Sequence, residues 1–237
     1  MKIALIGYGK MGQAIERIAL QRGHEITLKI SAHTKELFTP EHLQQADIAI
    51  EFTNPEAALG NVTACFKAGV PVVCGTTGWN KDFAIARDVC LANNSAFLQA
   101  SNFSVGVNIF FELNKRLATL MNNQPDYSVT IEEIHHIQKK DAPSGTAITL
   151  AEQVIDALDR KQSWSLDAHQ EDELMITALR EEGVPGTHTV TYNSLIDRID
   201  IIHTAHNRDG FALGAVLAAE FIAGKNGIFT MSDVLGI

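Results

Sequence analysis

The amino terminus of the chain joins an apolar strand, a glycine-rich turn and an amphipathic helix in immediate succession. Residues 2–6 are KIALI, residues 7–12 are GYGKMG, and a helical pattern follows. In this context Gly7 permits a tight turn, Gly9 lets the backbone approach a pyrophosphate, and Gly12 allows the helix to pack closely on the strand. An ordinary glycine-rich turn is the alternative, but it does not require this order of elements. We therefore predict a dinucleotide-binding fold.

The second predicted strand, residues 25–30, ends without the acidic residue that binds the adenosine ribose in sites that prefer NADH. The residues that follow it are Ser31, Ala32, His33, Thr34 and Lys35. Hydroxyl groups and a cation at this position suit a 2′-phosphate. The pattern favours NADPH over NADH as the cofactor, with Lys35 or His33 at the phosphate.

Strands and helices alternate through the first hundred residues, which predicts a doubly wound parallel sheet with helical crossovers. Loops at the carboxyl ends of the strands line the ligand crevice of such a sheet. The segment Gly75-Thr76-Thr77-Gly78 directly follows the strand predicted at 70–74. We expect this loop to contact the cofactor, and an ordinary glycine turn is the alternative.

The pattern changes after residue 104. Alternating β-rich runs at 127–134, 173–180, 187–194 and 198–205 predict an antiparallel or mixed sheet, which belongs to a second domain. An almost wholly apolar helix at 211–223 is expected to return to the first domain. The predicted fold class is therefore α/β, a Rossmann-type doubly wound parallel sheet with an inserted α+β domain for substrate binding and oligomerisation. The predicted domains are 1–103 with 209–237, and 104–208.

Residues 131–147, IEEIHHIQKKDAPSGTA, concentrate more polar chemistry than a structural loop requires. Two adjacent histidines offer a proton donor near neutral pH, two lysines offer positive charge, and Ser144-Gly145-Thr146 opens a helix whose free N–H groups bind carboxylates or phosphates. The alternative is a strand end, solvated lysines and a helix cap. Their coincidence favours a pocket for a small, multiply anionic substrate that is protonated during the reaction.

Composition excludes several classes of protein. The net charge of −9 and the lack of a basic stripe argue against a nucleic-acid partner. No apolar run approaches the length of a membrane span, and Met1-Lys2 leads straight into the first strand, so we expect a soluble cytoplasmic enzyme. Cys65, Cys74 and Cys90 are odd in number and lack CxxC spacing, which predicts buried, reduced thiols with no zinc site and no disulfide framework.

The segment 131–147 resembles the catalytic segment of the dihydrodipicolinate reductase family of bacterial lysine and diaminopimelate biosynthesis. The resemblance extends over most of the chain, through GYGKMG, EFTNPEA, GTTGW, ASNFSVGVN, VPGTH, HTAHNRDGFALGAV and GIFTMSDVL. It implies a Rossmann domain, an inserted substrate domain that assembles a homotetramer, and the use of NADPH or NADH. The implied reaction delivers hydride to a cyclic imine dicarboxylate, formed when 4-hydroxy-tetrahydrodipicolinate loses water, and protonates the neighbouring carbon to give tetrahydrodipicolinate. No metal is required.

The resemblance also implies roles for individual residues. His135 resembles the family's proton donor and Lys139 its partner in catalysis. His136, Gly145 and Thr146 resemble ligands of the substrate carboxylates. The residues that resemble cofactor contacts are Gly7, Tyr8, Gly9, Lys10, Met11, Gly12, Gly75, Thr76, Thr77, Ala100, Ser101, Asn102 and Phe103.

The chain departs from commoner forms of the family at two places. Ile137-Gln138 stands where some relatives carry more basic residues, and the ribose-side loop lacks an acid-plus-arginine arrangement. Two other functions remain open: a related nicotinamide-dependent imine or amino-acid dehydrogenase of the same fold, and a noncatalytic NADPH-binding regulator. The intact set of His135, Lys139 and Gly145-Thr146 argues against the regulator, since a sensor has no need of it.

Overall fold

The computed structural model describes residues 1–207 and 209–237. Its contacts divide the chain into two compact units, of which the first is Met1–Val105 together with Asp209–Ile237 and the second is Gly106–Arg208. Arg208, the last residue of the predicted insertion, lies outside the described residues. None of the helices in the described part is long and apolar enough to span a bilayer.

The described residues form eleven strands and eight α-helices. The strands are β1 (Lys2–Ile6), β2 (Glu25–Ile30), β3 (Ile48–Glu51), β4 (Val72–Cys74), β5 (Ala96–Gln99), β6 (Ser128–His135), β7 (Ser163–Ser165), β8 (Glu173–Arg180), β9 (Gly186–Asn193), β10 (Arg198–Ala205) and β11 (Gly227–Phe229). The helices are α1 (Lys10–Gln21), α2 (Pro40–Leu43), α3 (Pro55–Lys67), α4 (Phe83–Ala92), α5 (Val105–Met121), α6 (Gly145–Ala157), α7 (Asp209–Ile222) and α8 (Met231–Leu235). Short 3-10 turns cover Lys35–Leu37 and Asn80–Asp82.

The first unit is built on a six-stranded parallel sheet with the order β11-β5-β4-β3-β1-β2. The predicted doubly wound, Rossmann-type sheet is thus confirmed. The chain runs outward from β1 in both directions, to β2 on one side and to β3 on the other. Ligands of such sheets bind beyond the carboxyl ends of the strands at this reversal point. The three-residue strand β11 was not predicted.

Alternate residues of β1 pack in two separate hydrophobic clusters. Ala4 and Ile6 pack in a cluster that includes apolar residues of α3 and α4. Ile3 and Leu5 pack in a second cluster with residues of α1 and α7. Because helices cover both faces, β3 and β4 are buried at every position, as is usual for parallel sheets. The three cysteines are free and buried in this unit, as predicted.

Small residues let α7 pack tightly on the first unit. This helix buries Gly214, and it places Ala212, Ala215, Ala218 and Ala219 in the second of the two clusters. A Cβ added to Gly214 would lie 1.7 Å from the carbonyl oxygen of Phe103. The helix predicted at 211–223 therefore covers the first unit, in contact with the loop that follows β5.

The second unit is built on a five-stranded mixed sheet with the order β10-β9-β6-β8-β7. Strand β9 is antiparallel to β6 and β10, whereas β8 is parallel to β6 and β7. Buried and exposed residues alternate along most of β6, and the apolar cluster of this unit includes residues of α5 and α6. The other face keeps exposed apolar side chains, such as Ile202, which is 61% exposed.

The packing of Gly214 generates a stability prediction. We expect Gly214→Ala to lower the free energy of unfolding by about 1–3 kcal/mol, because the added methyl group collides with backbone that cannot rotate away. Gly60→Ala in α3 is the matched control. Nothing lies within 4 Å of the Cβ position of Gly60, so this change is expected to stabilise the helix by about 0.5–1 kcal/mol. Urea unfolding measures both, and equal stability of Gly214→Ala and the parent would contradict the packing.

Candidate active site

Four loops of the first unit meet at Phe52, directly after β3. Its carbonyl oxygen would lie 1.9 Å from a Cβ at Gly7, and its ring would lie 2.1 Å from a Cβ at Gly75. Its ring centroid is 5.7 Å from that of Phe103. Phe52 thus joins the glycine-rich turn to the predicted cofactor loops at 75–77 and 100–103. The sequence analysis missed it, although its place after a buried strand was a usable signal.

The glycine-rich turn has the geometry that a pyrophosphate site needs. Gly7 has a φ of +99°, and the N–H groups of Gly7 and Tyr8 donate to the carbonyl of Ile30 at 2.9 and 2.8 Å. A Cβ at Gly12 would lie 2.5 Å from the Gly7 carbonyl oxygen, whereas nothing lies within 4 Å of the Cβ position of Gly9. Backbone packing therefore requires glycine at 7 and 12, and Gly9 leaves open space at the start of α1.

The side chains of this turn make contacts of their own. The Tyr8 hydroxyl donates a short hydrogen bond to Glu16, and Lys29 pairs with the other oxygen of Glu16 at 2.5 Å. The Lys29 ammonium also lies 5.0 Å from the centroid of the Tyr8 ring. Lys10 is exposed, and Met11 packs at the edge of the second hydrophobic cluster.

The two other predicted cofactor loops are held by backbone contacts. Thr76 is buried, and its hydroxyl accepts a hydrogen bond from the Thr53 N–H at 2.8 Å, while Thr77 is exposed. The Ala100 N–H donates to the carbonyl of Cys74 at 3.2 Å. Ser101 is exposed, and the Asn102 side chain accepts from the Ser104 N–H at 2.9 Å.

A compact turn follows β2 at the predicted ribose-side loop. The Thr34 hydroxyl accepts from the Ser31 N–H at 2.9 Å and donates to the Lys29 carbonyl at 3.0 Å. The Ser31 hydroxyl accepts from the His33 N–H at 3.2 Å. The hydroxyls therefore stabilise the turn itself, and the side chains of His33 and Lys35 are exposed at its surface.

Glu51, at the end of β3, is a fully buried carboxylate that the sequence analysis did not single out. It accepts hydrogen bonds from the Cys74 thiol at 3.0 Å, the Asn61 amide at 3.2 Å and the Thr53 hydroxyl. These donors come from β4, from α3 and from the loop after β3. A buried polar group is tolerated when it is bonded in this way, so Glu51 ties together the elements that carry the cofactor loops.

The predicted catalytic residues lie in the second unit, at the carboxyl end of β6. Strand pairing sets Glu133 opposite His188 of β9, and His135 opposite Arg180 of β8. Residues directly opposite in an antiparallel pair share a face of the sheet. Glu133 and His135 are both buried, so this end of the sheet carries a cluster of ionisable groups inside the unit.

Glu133 is the centre of this cluster. The Ser144 N–H donates to both of its oxygens at 3.1 Å, and Arg180 donates to Oε1 at 3.2 Å. His135 Nδ1 lies 3.4 Å and His188 Nε2 lies 3.7 Å from Oε2. The sequence analysis missed Glu133, Arg180 and His188. Glu133 could have been found from the sequence, because it is a charged residue at a position that the alternation of β6 predicts to be buried.

Burial and charge set the ionisation of the cluster. Burial alone would raise the pKa of Glu133, but the nearby His188 and the hydrogen bonds from Ser144 lower it to about 2. Burial lowers the pKa of His135 to about 4, although the charge of Glu133 opposes this change. Glu133 is therefore ionised and His135 neutral at pH 7, whereas the sequence led us to expect a protonated donor near that pH.

The other predicted substrate ligands surround this cluster within the same unit. Lys139 Nζ donates to both carboxylate oxygens of Asp141, at 2.9 and 2.7 Å, and its charge further lowers the pKa of His135. His136 is partly buried. The Ser144 hydroxyl caps α6 by accepting from the Ala147 N–H at 3.2 Å.

Gly145 and Thr146 form the first turn of α6, next to the Glu133 cluster. The Ser144 hydroxyl already accepts from the Ala147 N–H, whereas the N–H groups of Gly145 and Thr146 have no partner within the helix and can bind an anion. Gly145 is exposed, with nothing within 4 Å of its Cβ position, and Thr146 is partly buried. The helix start can therefore receive a carboxylate without displacing a side chain.

The donor atoms of Glu133, His135 and His188 lie within 4.8 Å of one another, a spacing that a metal ion could bridge. However, the Arg180 guanidinium and the Ser144 N–H already occupy the carboxylate oxygens. A cation beside a bound guanidinium would be repelled. We assign these three residues to a cluster that is held by electrostatic contacts and by the hydrogen bonds that Ser144 and Arg180 donate to Glu133.

Comparisons with known proteins cover the whole chain. Family models described as dihydrodipicolinate reductase, N-terminus and C-terminus, match residues 1–103 and 106–235. The curated 4-hydroxy-tetrahydrodipicolinate reductase of Christiangramia forsetii is 56% identical over 235 residues, which cover 99% of this chain and 98% of the relative. That of Syntrophotalea carbinolica is 39% identical over 206 residues, covering 83% and 76%. A solved dipicolinate-bound dihydrodipicolinate reductase from Paenisporosarcina sp. TG-14 shares the fold, with a TM-score of 0.77, 20% identity and 97% of each chain covered.

Proposed function

Since this chain belongs to the dihydrodipicolinate reductase family, we propose that it reduces 4-hydroxy-tetrahydrodipicolinate, by way of dihydrodipicolinate, to tetrahydrodipicolinate in diaminopimelate and lysine biosynthesis. The observation that carries this proposal is the arrangement at the end of β6, where a buried histidine lies beside the open start of α6. A proton donor next to an anion-binding turn suits a dicarboxylate that is protonated as it is reduced. The cytoplasmic location stays a prediction.

The first unit would hold the nicotinamide cofactor, which supplies the hydride when bound. The space beside Gly9 and the amino end of α1 suit the pyrophosphate, because N–H groups and the helix dipole favour negative charge there. The loops at 75–77 and 100–103 leave the same edge of the sheet, from β4 and β5, and would line the rest of the cofactor site.

The second unit would bind the substrate. The N–H groups of Gly145 and Thr146 and the Thr146 hydroxyl would hold one carboxylate. The other carboxylate would be held by His136 and by Lys139, once this lysine exchanges Asp141 for the substrate. Holding both carboxylates fixes the ring that is to be protonated, so that binding is converted into orientation.

His135 is our proton donor to the ring carbon that becomes electron-rich after hydride addition. At rest the imidazole is neutral, since burial lowers its pKa to about 4. A dianionic substrate brings negative charge close to the ring, and such charge favours the imidazolium form. The donor would thus take up its proton together with the substrate.

These roles predict separable kinetic defects. We expect His135→Gln to lower kcat by about 10²–10⁴-fold with little change in KM, because it removes a contribution made in the transition state. Thr146→Val is expected mainly to raise KM. The assay follows NADPH oxidation with the product of dihydrodipicolinate synthase as substrate.

His169→Gln is the control for these variants, since His169 is an exposed histidine of the same unit. All three variants should keep normal NADPH affinity. Near-native turnover of His135→Gln across about pH 6–9 would contradict the role of His135 as proton donor and indicate a structural role.

The loop after β2 predicts the cofactor preference. We expect NADPH to bind at least as tightly as NADH, and Lys35→Ala to weaken NADPH binding while leaving NADH binding unchanged, because only NADPH carries a 2′-phosphate. Lys67→Ala, at an exposed lysine at the end of α3, is the control. Calorimetric titration measures the affinity of the parent and of both variants for each cofactor, and a preference of the parent for NADH that persists at low salt would contradict the prediction.

The uncovered face of the second sheet leads us to propose a homotetramer assembled through the inserted segment. Strand β10 is an edge strand with exposed Ile202, and Leu195 and Ile196 are almost fully exposed at the preceding turn. Exposed apolar edges of this kind are covered by a partner in stable proteins.

Ile202→Asp is expected to dissociate the assembly, because it places a charge in the buried contact. Leu20→Asp on α1, at a leucine that is 52% exposed, should leave the assembly intact. Light scattering distinguishes the two, and a stable monomer of the parent protein at micromolar concentration would contradict the proposal.

A further inference from the structure

Glu133 is a buried carboxylate that two other elements of the second unit hold in place. It is 0% exposed and receives hydrogen bonds from a backbone N–H at the start of α6 and from a guanidinium at the end of β8. A buried charge is costly unless it is paired and hydrogen-bonded. These bonds hold both the carboxylate and the turn at Ser144 in one fixed geometry.

Two imidazoles lie near the Oε2 oxygen of this carboxylate without a hydrogen bond to it, so their contact with Glu133 is electrostatic. His135 Nδ1 lies 3.4 Å from Oε2, and His188 Nε2 lies 3.7 Å from it. His188 Nε2 is also 3.1 Å from the Ser144 hydroxyl, and the two rings meet edge to face with centroids 5.0 Å apart. A neutral imidazole carries its single proton on one nitrogen, and a neighbouring carboxylate favours the nitrogen that faces it.

The opposite edge of the His135 ring faces a glycine. A Cβ at Gly186 would lie 3.0 Å from Nε2 and 3.2 Å from Cδ2 of His135. These distances are tighter than ordinary van der Waals contact, so a side chain at position 186 would crowd this edge of the ring. Glycine leaves space beside Nε2, the nitrogen that is turned away from Glu133.

We propose that Glu133 is the positioning residue of the site: its carboxylate holds His135 as the Nδ1–H tautomer, so that Nε2 receives and delivers the catalytic proton, and it fixes the substrate-binding turn at Ser144 in the same geometry. His188 packs against the His135 ring and lies 3.1 Å from the Ser144 hydroxyl. The part that concerns proton delivery rests on the proposed function. The tautomer and the turn do not depend on it.

Glu133 also stabilises the protonated form of His135, because its negative charge lies close to the ring. The ionisable groups that face this ring are Glu133 on the same strand, His188 on β9, Arg180 on β8 and Lys139 in the following loop. Of these four groups, only Glu133 favours the imidazolium form. Without its charge, burial and two cations would act on the ring unopposed.

Two measurements test the proposal, and the first needs no substrate. Long-range ¹H–¹⁵N correlation of histidine-labelled, ligand-free protein at neutral pH reports the tautomer of each ring, and the His135 signals are identified by their loss in His135→Gln. We expect a proton on Nδ1 and none on Nε2. The Nε2–H tautomer would overturn the proposal, even if the reductase activity is confirmed.

The second measurement is the pH profile of kcat for Glu133→Gln. An opposite charge within about 4–6 Å typically changes a pKa by about 1–3, so the descending limb at high pH should move to lower pH by about 1 or more. At pH values above that limb, kcat should fall by about tenfold or more, and lowering the pH should partly restore it. Glu132→Gln, the same change at the exposed neighbouring position, should keep the parent profile.

A purely structural role gives a different result, since misplaced groups lower kcat by a similar factor at every pH. That outcome, or an unshifted profile, would overturn the proposal. NADPH affinity and circular dichroism confirm that the variant is folded. If the parent protein shows no reductase activity, the proposed function fails, whereas the tautomer measurement still decides the role of Glu133.

Discussion

A parallel sheet must bury both of its faces, and the rest of this structure follows from that requirement. Helices α3 and α4 cover one face, but α1 needs a second helix beside it on the other, and this helix is α7 from the end of the chain. The chain must therefore return to the first unit after residues 106–207. A Cβ at Gly210 would lie 3.4 Å from the Ser104 hydroxyl, so the chain leaves and re-enters the first unit at adjacent points. A long segment can be inserted there without opening the core.

The sequence was informative wherever a pattern repeats over many residues. The bounds of β8 and β10 were predicted to the residue, because each shows a strand pattern over eight residues. Strands β7 and β11 have three residues each and are too short to show any period. Their place in a sheet is decided by the neighbours they meet, which local sequence does not contain.

The same distinction holds for the candidate site. Residues that lie together in the sequence, such as His135 and the turn at Ser144, could be grouped in advance. Arg180 and His188 come from other strands, and their meeting at Glu133 depends on the register of β8 and β9 against β6. The neutral state of His135 also follows from burial, which no motif encodes. The two buried carboxylates, Glu51 and Glu133, differ in the donors that bind them. Glu51 accepts from neutral side chains, whereas Glu133 is held by a guanidinium and a backbone N–H.

The distribution of cysteines allows local opening of the first unit to be measured separately from that of the second. Cys65, Cys74 and Cys90 are all buried in the first unit, and burial raises the pKa of each thiol, that of Cys90 to about 11. Since the thiolate is the reactive form, alkylating reagents reach these side chains only when the first unit opens. The second unit contributes no cysteine to this signal. The rate of thiol labelling thus measures local opening of the first unit alone, and cofactor bound there should slow it in proportion to its occupancy.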